Sequence, residues 1–135
     1  MIKKLTCIAA LFTGLACFNV AQADDYYQEL GGKEGVEKIV DNFINEISFD
    51  QNIVKFFEGT DITRLREKLI EQFCHESGGP CEYTGDSMKD VHAGMKITKA
   101  EFNRVVELLQ AAMDDAGTPQ TAQNRLIRSL APMRP

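Results

Sequence analysis

The side chains best suited to hold a transition metal in this 135-residue chain are two histidines and four cysteines. His92 has the most telling surroundings. From Tyr83 to Thr98 the chain reads Tyr-Thr-Gly-Asp-Ser-Met-Lys-Asp-Val-His-Ala-Gly-Met-Lys-Ile-Thr, with a glycine-broken loop behind the imidazole and a capped apolar helix ahead of it. That context suggests a haem iron ligand, a role a neutral imidazole can fill through one nitrogen. The bland alternative is a surface or satisfied core histidine. His75, beside the turn Gly78-Gly79, reads as a surface residue. With only two histidines available, no Ser/His/Asp set, phosphate loop or zinc spacing competes.

The first 23 residues belong to a different argument. Lys3 and Lys4 precede an apolar run from Leu5 to Val20, and Ala21-Gln22-Ala23 follows, which is the pattern of a cleaved export leader. We place the cut after Ala23. The run is short and interrupted by Thr, Gly and Asn, which argues against a spanning anchor. Cys17 raises lipidation as an alternative, although Gly14-Leu15-Ala16 matches the usual leader pattern poorly. Residues 24–135 then form one small domain, exported and read as periplasmic. It carries 13 Lys and Arg against 20 Asp and Glu, a formal charge of −7. Such an acidic surface argues against nucleic acid or an anionic membrane as partner.

Two cysteines leave with the leader. Cys74 and Cys81 remain, flanking Glu76-Ser-Gly-Gly-Pro80 in a compartment expected to be oxidising. A disulfide here would stiffen the turn and contribute about 2–3 kcal/mol on a chain-entropy model; free thiols are the alternative. Covalent c-type haem attachment is not supported, because Cys74-His75 lacks the preceding cysteine of CxxCH.

The elements that must position His92 are helices. After Gly31-Gly32, apolar residues at Val36, Ile39, Val40, Phe43 and Ile47 keep the 3.6-residue period of a one-sided helix. A second run, capped by Thr60 or Asp61, aligns Ile62, Leu65, Leu69 and Phe73. A third opens on a capping box, Thr98 with Glu101, and continues through Phe102, Val105, Leu109, Ala112 and Met113 to Gly117. Thr118 and Pro119 read as cap and first-turn proline of a last helix carrying Ala122, Leu126, Ile127 and Leu130. Between the second and third helices, Gly78 to Ile97 is too polar and broken for a long helix. Only Asp86 to Val91 forms about a turn and a half, ending at His92. A long irregular segment inside a small domain is usually functional. The fold class is therefore all-α.

These segments together resemble the group I truncated haemoglobins over essentially all of the region after the leader. The resemblance rests on Leu30-Gly-Gly32, Lys55-Phe-Phe-Glu-Gly-Thr-Asp61, Gly78-Gly-Pro80, Tyr83-Thr-Gly85, Met88-Lys89, Val91-His-Ala-Gly94 and Ile97-Thr98 in that order and spacing. It implies a two-over-two helical sandwich around haem b, with a very short first helix and a loop in place of most of the helix before the iron ligand. His92 matches the proximal histidine. Phe57 matches the phenylalanine packed on the porphyrin, with Phe56 and Phe73 at apolar positions near it and Met88 on the proximal wall. Ordinary core packing is the alternative for the aromatics.

The distal side departs from the family pattern. Ile44 follows Phe43 where many relatives place a hydrogen-bonding tyrosine, Leu69 stands where relatives often have glutamine, and Leu65 occupies another common distal position. A pocket lined only by these three would lack a hydrogen bond to oxygen worth about 1–3 kcal/mol, so strong oxygen retention and efficient nitric oxide dioxygenation are not expected. Lys68 occupies a position from which some relatives send a sixth ligand to the iron. It would have to bind as the neutral amine, a form that an apolar pocket favours. Otherwise it reaches a haem propionate or solvent with its stem along the haem edge. Arg64 reads as a propionate or surface charge.

The expected function is thus haem-based binding of a diatomic ligand (O2, NO or CO). A nitric oxide or redox enzyme, served by an unidentified reductase, and an electron-transfer haem protein are alternatives. A haem-free helical module that binds a partner is a third reading, from another class.

Overall fold

The computed structural model describes residues 25–134. The leader at 1–23, its cut after Ala23 and lipidation at Cys17 lie outside the described residues. Five α-helices follow one another: α1 (Gly32–Phe49), α2 (Ile62–Glu76), α3 (Met88–Val91), α4 (Lys99–Asp115) and α5 (Gln120–Leu130). Short 3-10 turns at Val54–Phe57 and Ala131–Met133 complete the set. Among the described residues there is no strand.

α1 forms because its buried positions, Val36, Ile39, Val40, Phe43 and Ile47, are the apolar stripe of the sequence. That stripe packs chiefly on α4 and, along its flank, on α2. α5 closes the other side against α2 and α4. The outcome is two pairs, α1–α2 over α4–α5, the two-over-two sandwich. The expected first helix shrinks to one turn over 27–31. It is anchored where the Tyr26 and Tyr27 amides both donate to the Ser77 carbonyl at 3.0 and 2.9 Å.

The ends of the helices decide where the site's loops start. Asp61, rather than Thr60, caps α2, accepting from the Arg64 amide at 3.1 Å. α2 stops in a Schellman turn in which Gly78 adopts φ 82° and Gly79 donates to the Cys74 carbonyl at 2.8 Å. Gly79 must be glycine, since a Cβ there would stand 2.7 Å from the Cys74 sulfur and from the Tyr27 ring. α4 opens on the full capping box of Thr98 and Glu101. It closes on a second Schellman turn, with Gly117 at φ 73° and the Thr118 amide donating to the Met113 carbonyl at 3.0 Å.

This second turn corrects the expected start of α5. Thr118 serves the end of α4, its hydroxyl is buried without a partner, and Pro119 stands in the cap position at ψ 140° rather than in the first helical turn. Gln123 takes over the junction, donating from Nε2 to the Thr118 carbonyl at 3.0 Å and to Asp114 Oδ1 at 2.8 Å.

Cys74 and Cys81 are joined in a disulfide, with Cα atoms 5.8 Å apart, inside the range such a bridge requires. It ties the last turn of α2 to the irregular segment that leads to His92. Among the described residues no helix is long and apolar enough to cross a membrane.

Candidate functional site

Helix α3 is only four residues long and exists to deliver His92. Ser87 caps it, accepting from the Asp90 amide at 3.1 Å. His92 ends it, and its own amide donates to the Met88 carbonyl at 3.1 Å. The imidazole Nδ1 lies 2.7 Å from the same carbonyl oxygen. A carbonyl only accepts, so Nδ1 carries the proton, which in the neutral ring leaves the lone pair on Nε2. This is how a metal-binding histidine is oriented and its tautomer set.

His92 lines a cavity of about 580 Å³ bordered by residues of all five helices and of the Val54–Phe57 turn. Its volume lies in the range of about 300–1,000 Å³ typical of small-molecule and cofactor sites. Leu65, Leu69 and Phe73 of α2 form one wall, and Met88, Met95 and Ile97 lie around His92. Phe56, Phe57, Lys68, Arg64 and Tyr83 also line it. Phe73 is fully buried and packs against Phe43 with ring centroids 6.4 Å apart, so it is both core and wall.

Ile44 is placed elsewhere. It lines a smaller cavity of about 230 Å³ beside the first, and Ile47, Phe57 and Leu65 line both. The α2 wall also carries polarity that its leucines do not announce. Gln72, one turn beyond Leu69, is buried and lines the main cavity, donating from Nε2 to the Met133 sulfur at 3.3 Å. Met133 comes from the C-terminal 3-10 turn. Nothing local in the sequence signals that this turn closes the pocket. Tyr83 was visible only as part of a motif; its hydroxyl donates to the Asp86 carbonyl at 2.7 Å, and burial pushes its pKa up.

The charged rim is ordered. Lys68 lines the cavity with its side chain 18% exposed and its Nζ 2.9 Å from Glu71 Oε1. The same Nζ donates to the Thr84 hydroxyl at 2.7 Å. The Thr84 amide donates to Glu71 Oε2 at 3.0 Å. That backbone bond, with the Lys68 ammonium behind it, holds the Glu71 carboxyl down at about 2. Arg64 is exposed at the cavity edge.

The residues present fit haem. Among the described residues no three His, Cys, Asp or Glu side chains gather to hold a metal, so a metal bound by His92 must bring its other ligands, as a porphyrin iron does. The cavity offers apolar walls for a flat macrocycle, and cations at its edge for carboxylates. The cysteine pair is consumed by the disulfide, so no thioether bond to haem comes from Cys74 or Cys81.

A two-over-two helical fold with one oriented imidazole in an apolar crevice defines a globin-type haem protein. The chain belongs to the bacterial-like globin family, whose model matches residues 25–135, and within it to the truncated haemoglobins. It is 37% identical over 121 residues to the group 1 truncated hemoglobin GlbN of Mycolicibacterium paratuberculosis, covering 90% of this chain and 89% of that one. The crystal structure of truncated hemoglobin from Tetrahymena pyriformis in its Fe(III) form superposes with a TM-score of 0.76 at 25% identity, over 80% of this chain and 92% of that one. THB1 of Chlamydomonas reinhardtii gives a TM-score of 0.66 at 25% identity, over 82% of this chain and 96% of that one.

Proposed function

We propose that this chain is an exported haem b protein that binds a diatomic gas, with His92 as the proximal ligand and Lys68 as an exchangeable ligand on the opposite side. The observation that carries the reading is the His92 ring, fixed through Nδ1 on the Met88 carbonyl at 2.7 Å on the wall of a 580 Å³ apolar cavity. Haem supplies a redox-active iron whose remaining position takes a gas or a sixth ligand.

The residues of the chain do the rest. Met88 holds the imidazole tautomer, and Phe57, Phe73, Leu65 and Leu69 keep water from the ring faces. Arg64, exposed at the cavity edge, would pair with a propionate. Lys68 reaches the cavity on a long apolar stem, and its departure from Glu71 and Thr84 would close the open position. With the lysine bound, electron exchange with a reductase is favoured; with it away, gas binding is. Export is supported by the leader-like residues 1–23 and by the formed disulfide, which belongs to oxidising compartments. The test of export is the mass of the protein in a periplasmic extract; a chain retaining residues 1–23 would refute cleavage after Ala23.

The site is tested by the visible spectrum of the haem-loaded chain in the ferrous, ligand-free state. Sharp split low-spin bands that collapse in Lys68→Ala are expected. A broad high-spin band unchanged by that substitution rejects lysine ligation and leaves gas binding at an open site. Wild-type haem uptake retained in His92→Ala rejects the proximal assignment.

A further inference from the structure

We infer that Glu71 and Thr84 are positioning residues that park the Lys68 amine away from the iron and so set how much of the site stays open. The inference rests on the proposal that Lys68 is an exchangeable ligand, and adds what controls the exchange. Two contacts carry it. Lys68 Nζ stands 2.9 Å from Glu71 Oε1 and 2.7 Å from Thr84 Oγ1, while Glu67, at 3.9 Å, is a looser neighbour. The ammonium is therefore held by one carboxylate from its own helix and one hydroxyl from the facing loop.

Glu71 does not depend on the lysine alone. Its carboxylate also accepts the Thr84 amide at 3.0 Å and the Thr84 hydroxyl at 2.9 Å to Oε2. When the lysine leaves, gives one proton to water and turns its lone pair to the cavity, Glu71 keeps two donors and is not orphaned. An exchange that strands no buried charge is readily reversible.

Thr84 lies in an irregular segment, yet it is braced on both sides. Three residues before it Cys81 is bonded to Cys74, less than one turn beyond Glu71 on α2. The Cys81 carbonyl lies 3.3 Å from His75 Nδ1. Beyond it, the Tyr83 hydroxyl bonds the Asp86 carbonyl, and a side chain at Gly85 would collide with the Tyr83 ring. The disulfide thus fixes the distance between the two halves of the clasp, and the same segment runs on into α3 and His92.

The test uses the haem-loaded chain with its disulfide intact, comparing Glu71→Gln and Thr84→Val in the wild-type and Lys68→Ala backgrounds. Each substitution removes a charge-assisted bond at near-constant shape, so the ratio of low-spin to high-spin haem should rise about tenfold in the wild-type background. Neither should change the spectrum when Lys68 is alanine, and Glu71→Asp should restore part of the wild-type ratio. Unchanged spectra in both variants, while Lys68→Ala shifts the wild type, would overturn the clasp and leave lysine ligation standing. Shifts that persist without the lysine would also overturn it, showing a loop distortion. If Lys68→Ala alters neither the wild type nor the Glu71→Gln spectrum, lysine ligation itself fails and takes the clasp with it. Should Glu71→Gln not retain haem, Thr84→Val decides alone.

Discussion

The α1–α4 pair and the α2–α3 side of the molecule are built to opposite specifications. Val36, Ile39 and Val40 on α1 meet Ala112 and Met113 on α4, all at 1% exposure or less. Asn42 adds a bond from Nδ2 to the Ala112 carbonyl at 3.1 Å. α2, by contrast, buries only Gln72, Phe73 and Cys74 at its end, and α3 buries nothing. Leu65 and Leu69 face the cavity, where Val36, Ile39 and Val40 of α1 are buried in the core. One side is closed by packing, and the other frames the cavity and is braced by loop and disulfide. The lesson is that an apolar stripe of helical period guarantees a buried face but not what buries it.

The contrast is broken most forcefully at His92. His92→Ala removes the proposed iron ligand itself, so haem affinity should fall by more than the roughly 10–100-fold typical when only a ligand's supporting contacts are lost. The stability of the haem-free chain should barely move. Haem transfer to a competing apoglobin and denaturation of the haem-free chain measure the two; equal losses in both would erase the distinction.

Next in size, Met113→Ala in the closed half should cost about 2–5 kcal/mol in chemical denaturation. Leu65→Ala, whose side chain already borders a void, should cost the haem-free chain about half of that or less. Parity between them would mean that the cavity is closed in solution.

Reducing the Cys74–Cys81 disulfide opens a short loop and should cost about 2–3 kcal/mol. Amide exchange should accelerate between residues 79 and 87 and stay unchanged in α1 and α4. Uniform acceleration would show that the loop and scaffold unfold as one.

The smallest effect is on acid stability, and it belongs to the scaffold. The Arg104 guanidinium, 2.6 Å away, leads in holding the Asp50 carboxyl below its ordinary 3.8. Arg66 does the same for Asp41, and the Thr98 amide, then Lys55, lowers Glu101 from 4.5. A lowered carboxyl contributes stability that is present above its ordinary pKa and lost as pH falls through the folded value. Melting temperature should therefore drop as pH falls below about 4.5, and Asp50→Asn should flatten the acid limb slightly. An unchanged acid limb would mean that these surface pairs, at least one partner of each well exposed, carry no measurable weight, as many do not.

The helices were legible because their causes are local. Stripe, capping box and glycine stop act within a few residues; α2 and α4 begin and end where those signals stand, and α1 begins where its glycine pair stands. The start of α5 was misread because Thr118 serves two elements at once, and the claim of the α4 Schellman turn prevailed over the cap. At the site, His92 and its short helix were legible from the broken segment around them. Phe102, Val105 and Leu109 read as core stripe, and they are; that they also line the cavity leaves no mark, since a core face and a cofactor face share one period.

By itself, then, the sequence determined the all-α class, the place of His92 at the end of a short helix in the broken segment and the family to which the chain belongs, each encoded in short-range spacing. The tertiary structure alone decided that Cys74 and Cys81 meet, that Ile44 lines the smaller cavity, that Met133 closes over Gln72 and that Thr84 stands beside Lys68 and Glu71. Those pairings join residues separated by irregular backbone, whose path is set by where α2 and α4 dock on α1 rather than by any local preference of the loop.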